Sequence, residues 1–338
     1  MKKSLKIFLI FLLSLLFIIF LFFAYLSKKT NQSYLYFPKT IISALKYSPV
    51  TNKPNFIILG VDKRDDWLEK TLTTDTIIFS QLDPQKAKIH LFSLPRDLWS
   101  YFTDSKINQI YPLSLEKKDS QDKFEFISEN FASISGQPID RVLVLSTENL
   151  KQLADILGGV DLYLEKGFKD ELYPNEAYIE NPDSGAPIYR TVEFKSDWVH
   201  LDSRNISEFV RSRKSADTAS NGGTDLGRIE RQQLLINTLI DKLKSSLHSP
   251  EVLFKLYQYW GTLEHNFSDT ELLSYLFRLR RSLSKIEIIR HSISIGEDPN
   301  INLIYHPQKF INAQWVYLPQ NEDYSSLHSF IFESLNSL

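Results

Sequence analysis

The sequence predicts an α/β layered domain, with helices covering both faces of a sheet, preceded by one transmembrane helix. Three observations carry this. Residues 7–26 read IFLIFLLSLLFIIFLFFAYL, with no charge among them. Short apolar runs bounded by turn residues recur from Asn55 to Leu164. From Asp202 onward the apolar spacing is helical. Strands and helices sharing one stretch bury their apolar faces by layering.

At ~1.5 Å rise per residue the apolar run is about 30 Å long, the thickness of a bilayer's hydrocarbon core. Lys2, Lys3 and Lys6 precede it; Lys28 and Lys29 follow. A short basic N-terminus ahead of a first helix stays cytoplasmic, which places the rest of the chain outside. The run is too long for a signal peptide, and no small-x-small cleavage motif follows Ala24, so an uncleaved anchor is favoured over a cleaved leader. The expected organisation is a cytoplasmic tip and anchor at 1–29, an extracytoplasmic connector at 30–54, and one large domain at 55–338.

The next elements are buried strands at 55–61 (NFIILGV), 76–82 (TIIFSQL), 88–94 (KIHLFSL) and 141–146 (RVLVLS). A helix from Thr147 closes at Gly158-Gly159, and 160–164 is a fifth strand. Helices follow at 202–210 and 227–247, the second with a broad apolar face. Ser268-Asp269-Thr270-Glu271 matches a capping box and opens a helix to residue 283. Residues 286–291 and 315–318 return as strands, the latter stopped by Pro319, and 324–335 forms a last helix.

The composition narrows the function. The chain has no cysteine, so no disulfide framework holds it. Of 39 Lys and Arg, five flank the apolar run, leaving 34 against 41 acidic residues beyond Lys29, a net of −7. Such an ectodomain is not a nucleic-acid binder, which needs clustered cations. No G-x-S-x-G, P-loop, G-x-G-x-x-G or H-E-x-x-H occurs. Without Cys or paired His, a zinc site lacks its usual donors.

Three segments can do chemistry. The first strand runs into Asp62, and Asp75 lies between Thr74 and Thr76 at the start of the next. Acids at strand ends lie where α/β ligand sites form, and two carboxylates brought together suit Mg²⁺ or Mn²⁺. The alternative is two solvated turn acids, and each Asp taken singly fits that better. Arg96, in Ser93-Leu94-Pro95-Arg96-Asp97, projects from a similar strand end; its plain alternative is a surface salt bridge. Arg211 and Arg213 end one short helix, and Arg228 and Arg231 stand in the first turns of the next, where the dipole disfavours cations. Phosphate would compensate such a cluster, because the guanidinium fork binds it bidentately. A mixed-charge helix face with Glu208, Asp225 and Glu230 explains the segment equally well.

Taken in order, these segments resemble the LytR-CpsA-Psr family of membrane-anchored envelope enzymes. The motifs are I-L-G-V-D ending at Asp62, T-D-T around Asp75, S-L-P-R-D with Arg96, and K-I-N from Lys106 to Asn108. They continue with L-G-G-V-D ending at Asp161, H-L-D from His200 to Asp202, V-R-S-R-K with Arg211 and Arg213, and D-L-G-R-I-E-R-Q-Q from Asp225 to Gln233. The resemblance implies a central mixed sheet flanked by helices, with a long apolar groove for a polyprenyl chain. It implies transfer of a glycopolymer from a polyprenyl-pyrophosphate carrier onto peptidoglycan as a phosphodiester. Asp62 and Asp75 match the family's Mg²⁺-binding carboxylates, and Arg96, Arg211, Arg213 and Arg228 its pyrophosphate-binding arginines. Asp225 matches an acidic position that orients an Arg or assists proton removal. Two departures stand out: Thr73 occupies a place where family members usually carry Arg, and the loop 215–224 is long. A pyrophosphatase acting on the same lipid, or a non-catalytic lipid-binding regulator, are the rival readings.

Overall fold

The computed structural model describes residues 17, 20–47, 51–66, 69–212, 225–246, 248–279, 282, 285–308 and 310–337, without the side chains of 63–66, 69–71, 225, 226, 228 and 229. Most of the expected anchor, 7–16 with 18 and 19, lies outside the described residues; 20–30 are helical. Among the described residues no helix is long and apolar enough to cross a membrane. Contacts divide the chain into two compact units, one of residues 1–53, 83–87 and 267–286, the other of 54–82, 88–266 and 287–338.

In the first unit, helix Tyr36–Lys46 of the connector packs on helix Asp269–Leu279, and the Tyr36 hydroxyl donates to the Asp269 carboxylate. The expected cap is present: Ser268 Oγ accepts from the Glu271 amide at 3.2 Å. Asp83 closes a turn by accepting from the amides of Gln85 and Lys86, each at 3.0 Å, and pairs with Lys53 at 3.0 Å. Burial works to raise the Asp83 carboxyl, but the Lys86 amide and the Lys53 ammonium outweigh it and hold the group below its ordinary value. A depressed folded-state pKa adds stability above the unfolded value that is lost as pH falls through the folded one. Asp83→Asn is therefore expected to melt below wild type at pH 7, with the gap closing as pH falls below the ordinary carboxyl value of 3.8; a gap independent of pH would refute the ion-pair account.

The second unit is built on a six-stranded mixed sheet. Its order is Glu264–His265, Arg141–Ser146, Asn55–Asp66, Glu69–Asp83, Lys88–Leu94, Glu287–His291. Asn55–Asp66 runs parallel to Arg141–Ser146 and antiparallel to Glu69–Asp83. Ile57, Leu59, Ile77, Phe79, Val142 and Val144 form one core with Phe124, Ile127, Phe131 and Ile134 of helix Ser120–Ser135 and Leu327 and Ile331 of helix Ser325–Asn336. A second core joins Ala154 and Leu157 to Leu235 and Leu239 of helix Asp225–Ser246. Helix Ser120–Ser135, for which the sequence reading offered no element, has a legible signal: the Asp119 side chain caps the Asp122 amide, apolar residues recur at 124, 127, 131 and 134, and Gly136 closes it at φ 66°. Helix Pro250–Trp260 and the hairpin of Phe168–Pro174 with Tyr189–Phe194 are likewise additional.

The first two strands reach further than expected, to Asp66 and back from Glu69. Asp62 is therefore not the end of a strand. It is instead the first residue beyond the parallel neighbour, whose pairing stops at Val61↔Ser146. The register with the antiparallel neighbour shifts at the same place: Gly60 faces Thr76 and Val61 faces Thr74, so Asp75 is the extra residue of a β-bulge. Gly60 permits this approach, because a Cβ there would lie 2.9 Å from Thr76 Cβ. Gly60→Ala is expected to cost about 1–3 kcal/mol, as overpacking does. An unchanged urea midpoint would show that the bulge absorbs the methyl group.

Candidate anion and metal site

The sheet rim gathers four of the sequence-picked residues into two ion pairs. Arg96 Nη1 meets Asp75 Oδ1 at 2.5 Å, and Arg211 Nε meets Asp62 Oδ2 at 3.4 Å. Asp75, in the bulge, stands two residues from Thr73, the register partner of Asp62, and both carboxylates are sheltered, with 15 % and 8 % of their side chains exposed.

Local bonds fix Arg96. Strand Lys88–Leu94 ends at Pro95, a turn closes from the Leu98 amide to the Pro95 carbonyl at 2.9 Å, and the Asn108 amide donates to the Arg96 carbonyl at 3.2 Å. Asp97 lies between Arg96 Nε, at 3.4 Å, and Lys106 Nζ, at 2.8 Å. The K-I-N segment thus buttresses the S-L-P-R-D turn. Helix Asp225–Ser246 reaches the same strand through Gln233 Nε2, 3.3 Å from Ser93 Oγ.

Arg211 is the last residue of helix Ile206–Arg211. Glu208 does not neutralise it: that carboxylate is paired with Arg190 at 2.5 Å. Arg190, which sequence reasoning missed, lies over the Tyr173 ring at 5.0 Å. Burial pushes the Tyr173 phenol above its ordinary value, against the opposing pull of the Arg211 guanidinium. Nothing local in the sequence links Arg190 or Tyr173 to the cluster, because both arrive on a hairpin that pairs across fifteen and more residues.

Arg231 requires correction. Expected among the substrate-binding arginines, it is 3 % exposed, with its guanidinium over the Phe168 ring and directed at backbone carbonyls. Arg213 lies outside the described residues. Asp225 and Arg228 stand in the first turn of helix Asp225–Ser246, and nothing is described of their side chains. Two further motifs are structural. Gly159, at φ 80°, lets the His200 ring approach to 2.4 Å from where a Cβ would sit, and His200 Nδ1 meets Asp161 Oδ1 at 2.8 Å.

Asp62 and Asp75 offer hard oxygen donors, the chemistry that Mg²⁺ or Mn²⁺ takes, so the residues present fit such an ion. Among the described residues no group of three or more His, Asp or Glu converges as a ready-made metal site. A two-carboxylate site of this kind would complete its shell with water and phosphate oxygens.

Two Arg–Asp ion pairs thus lie at the rim of a mixed α/β sheet. The chain belongs to the LytR_cpsA_psr family, whose model matches residues 20–328. It is 26 % identical over 282 residues to the polyisoprenyl-teichoic acid–peptidoglycan teichoic acid transferase TagU of Oceanobacillus iheyensis, covering 81 % of this chain and 74 % of that protein. It is also 26 % identical over 179 residues to the corresponding transferase TagV of Bacillus subtilis (strain 168), covering 51 % of this chain and 39 % of that protein. That match thus spans less than half the relative's length. The crystal structure of B. subtilis TagV shares the fold, with a TM-score of 0.56 at 19 % identity, covering 84 % of this chain and 98 % of that one.

Proposed function

We propose that this protein transfers a glycopolymer from a polyprenyl-pyrophosphate carrier to peptidoglycan, outside the cell and anchored by residues 7–26. The observation that carries this reading is the pair of Arg–Asp contacts, Arg96–Asp75 and Arg211–Asp62, at one sheet rim. The transferase names of the relatives support it. The acceptor is a hydroxyl of the wall glycan. Its oxygen forms a bond to the glycan-bearing phosphorus, the bridging P–O bond breaks, and polyprenyl phosphate leaves.

Arg96 and Arg211 bind and orient the pyrophosphate oxygens, joined by Arg213 and Arg228. Asp62 and Asp75 would hold Mg²⁺, which would supply charge neutralisation to the phosphoryl group. Phosphoryl transfer asks little of a protein beyond such positioning and charge. The ion pairs keep both partners in place beforehand, since each arginine rests on the carboxylate it would otherwise leave exposed. Asp225 either orients an arginine or takes up the acceptor hydroxyl's proton.

The test incubates the detergent-purified chain with a polyprenyl-pyrophosphate-linked teichoic acid, with and without peptidoglycan. Covalent attachment to peptidoglycan supports transfer. Phosphate release without attachment would identify a pyrophosphatase, and binding without turnover a lipid-binding protein.

A further inference from the structure

Helix Ile206–Arg211 ends without a glycine; Ser212 follows in extended backbone at φ −60° and ψ 131°. The last carbonyls of a helix need partners from elsewhere. Here two adjacent residues of the next helix supply them. Arg231 Nε donates to the Phe209 carbonyl at 3.2 Å, Arg231 Nη2 donates to the Ser212 carbonyl, and Gln232 Nε2 donates to the Val210 carbonyl at 3.1 Å.

The arrangement is demanding. Arg231 is 3 % exposed, and its guanidinium lies 3.9 Å from the centre of the Phe168 ring. Phe168 is itself packed on Phe194 and Phe209. A buried guanidinium is tolerated only where its N–H groups and charge are met. Helix-end carbonyls, which carry the negative end of the dipole, meet both needs. An aromatic face beneath the cation adds to this.

The functional consequence lies between the bonded carbonyls. Arg211 stands between Val210 and Ser212, and its Nε is the atom that faces Asp62. Rotation or fraying of this six-residue helix would carry the Arg211 guanidinium away from the rim. A short helix has little stability of its own to prevent this.

We propose that Arg231 is a positioning residue: it clasps the C-terminus of helix Ile206–Arg211 from inside and so holds Arg211 at Asp62 before any phosphate arrives. This rests on the reading of Arg211 as a phosphate ligand. Arg231 itself does not touch the substrate. Its effect passes through Arg211, and that makes it separable from an ordinary core contact.

The test uses the full-length protein as wild type, Arg231→Lys, Arg211→Lys and the double variant, each titrated with inorganic pyrophosphate and Mg²⁺. Hydrogen exchange at residues 206–212 is followed in parallel. Arg231→Lys is expected to weaken pyrophosphate binding about tenfold and to speed exchange in that segment. The double variant is expected to bind no more weakly than Arg211→Lys alone, since the two act in series. Additive losses, or wild-type affinity in Arg231→Lys, would overturn the positioning role. If wild type binds no pyrophosphate, the phosphate-site reading fails, and unchanged exchange in Arg231→Lys would separately overturn the clasp. Should Arg231→Lys not fold, Phe168→Leu removes the ring beneath the guanidinium and keeps its hydrogen bonds. It is expected to speed exchange at 206–212 and weaken binding, and wild-type behaviour in both would count against the proposal.

Discussion

Asp62→Asn is expected to lose Mg²⁺-dependent transfer by about 10²–10³-fold, the scale of removing one stabilising charge from a preorganised site. The substitution keeps the shape of the side chain and removes its charge, so the proposed cation would lose one of two carboxylates. It also takes the ionic partner from Arg211, whose Nε lies 3.4 Å from Asp62 Oδ2. Asn preserves the volume of this buried side chain, so the packing around it is kept. Turnover should therefore fall far more than the melting temperature. Transfer rates across a Mg²⁺ titration decide it: a lower maximum that extra Mg²⁺ only partly restores fits a metal ligand. Full turnover at wild-type Mg²⁺ dependence would remove Asp62 from the site.

The second large effect is expected at the arginines. Arg96→Lys and Arg211→Lys keep the charge and lose the fork, so each should weaken pyrophosphate binding by ~1–3 kcal/mol. Arg96 is the more demanding position. Its Nη1 holds Asp75 at 2.5 Å while its Nε faces Asp97 at 3.4 Å, and a lysine ammonium cannot serve both directions. Arg96→Lys is therefore expected to disturb Asp75 as well and to shift the Mg²⁺ requirement, whereas Arg211→Lys acts chiefly on the anion. Calorimetric titration of a polyprenyl pyrophosphate into the three proteins checks this. Equal affinities would return both residues to ordinary surface pairing.

Charge alone left two pairings unread. Arg231 follows Arg228 at helical spacing and looks like one more surface cation. Its burial depends on Phe168, which precedes it by more than sixty residues and reaches it only through the hairpin Phe168–Pro174 with Tyr189–Phe194. Glu208, offered with Asp225 and Glu230 as the mixed-charge alternative to a phosphate site, pairs with Arg190 from the same hairpin. Neither pairing has a local signature. Helix Ser120–Ser135 is different, because its cap, its apolar period and its closing glycine were all present to be read.

By itself, the sequence determined the strands whose apolar runs are long and uninterrupted, the helix capped by Ser146, and the motif order that identifies the family. These follow from properties each segment carries alone: side-chain period, caps, and turn residues. It also named Asp62, Asp75, Arg96 and Arg211 as candidates, since charged residues beside buried strands are unusual enough to notice. Only the tertiary structure decided which of them meet. The bulge between Gly60 and Val61 leaves Asp75 as the extra residue of its strand, the Pro95 turn aims Arg96 at Asp75, and the Arg231 clasp holds Arg211 at Asp62. Each of these depends on a one-residue register shift or a contact between distant segments, and a chain read residue by residue carries no record of which register or which partner has the lower free energy.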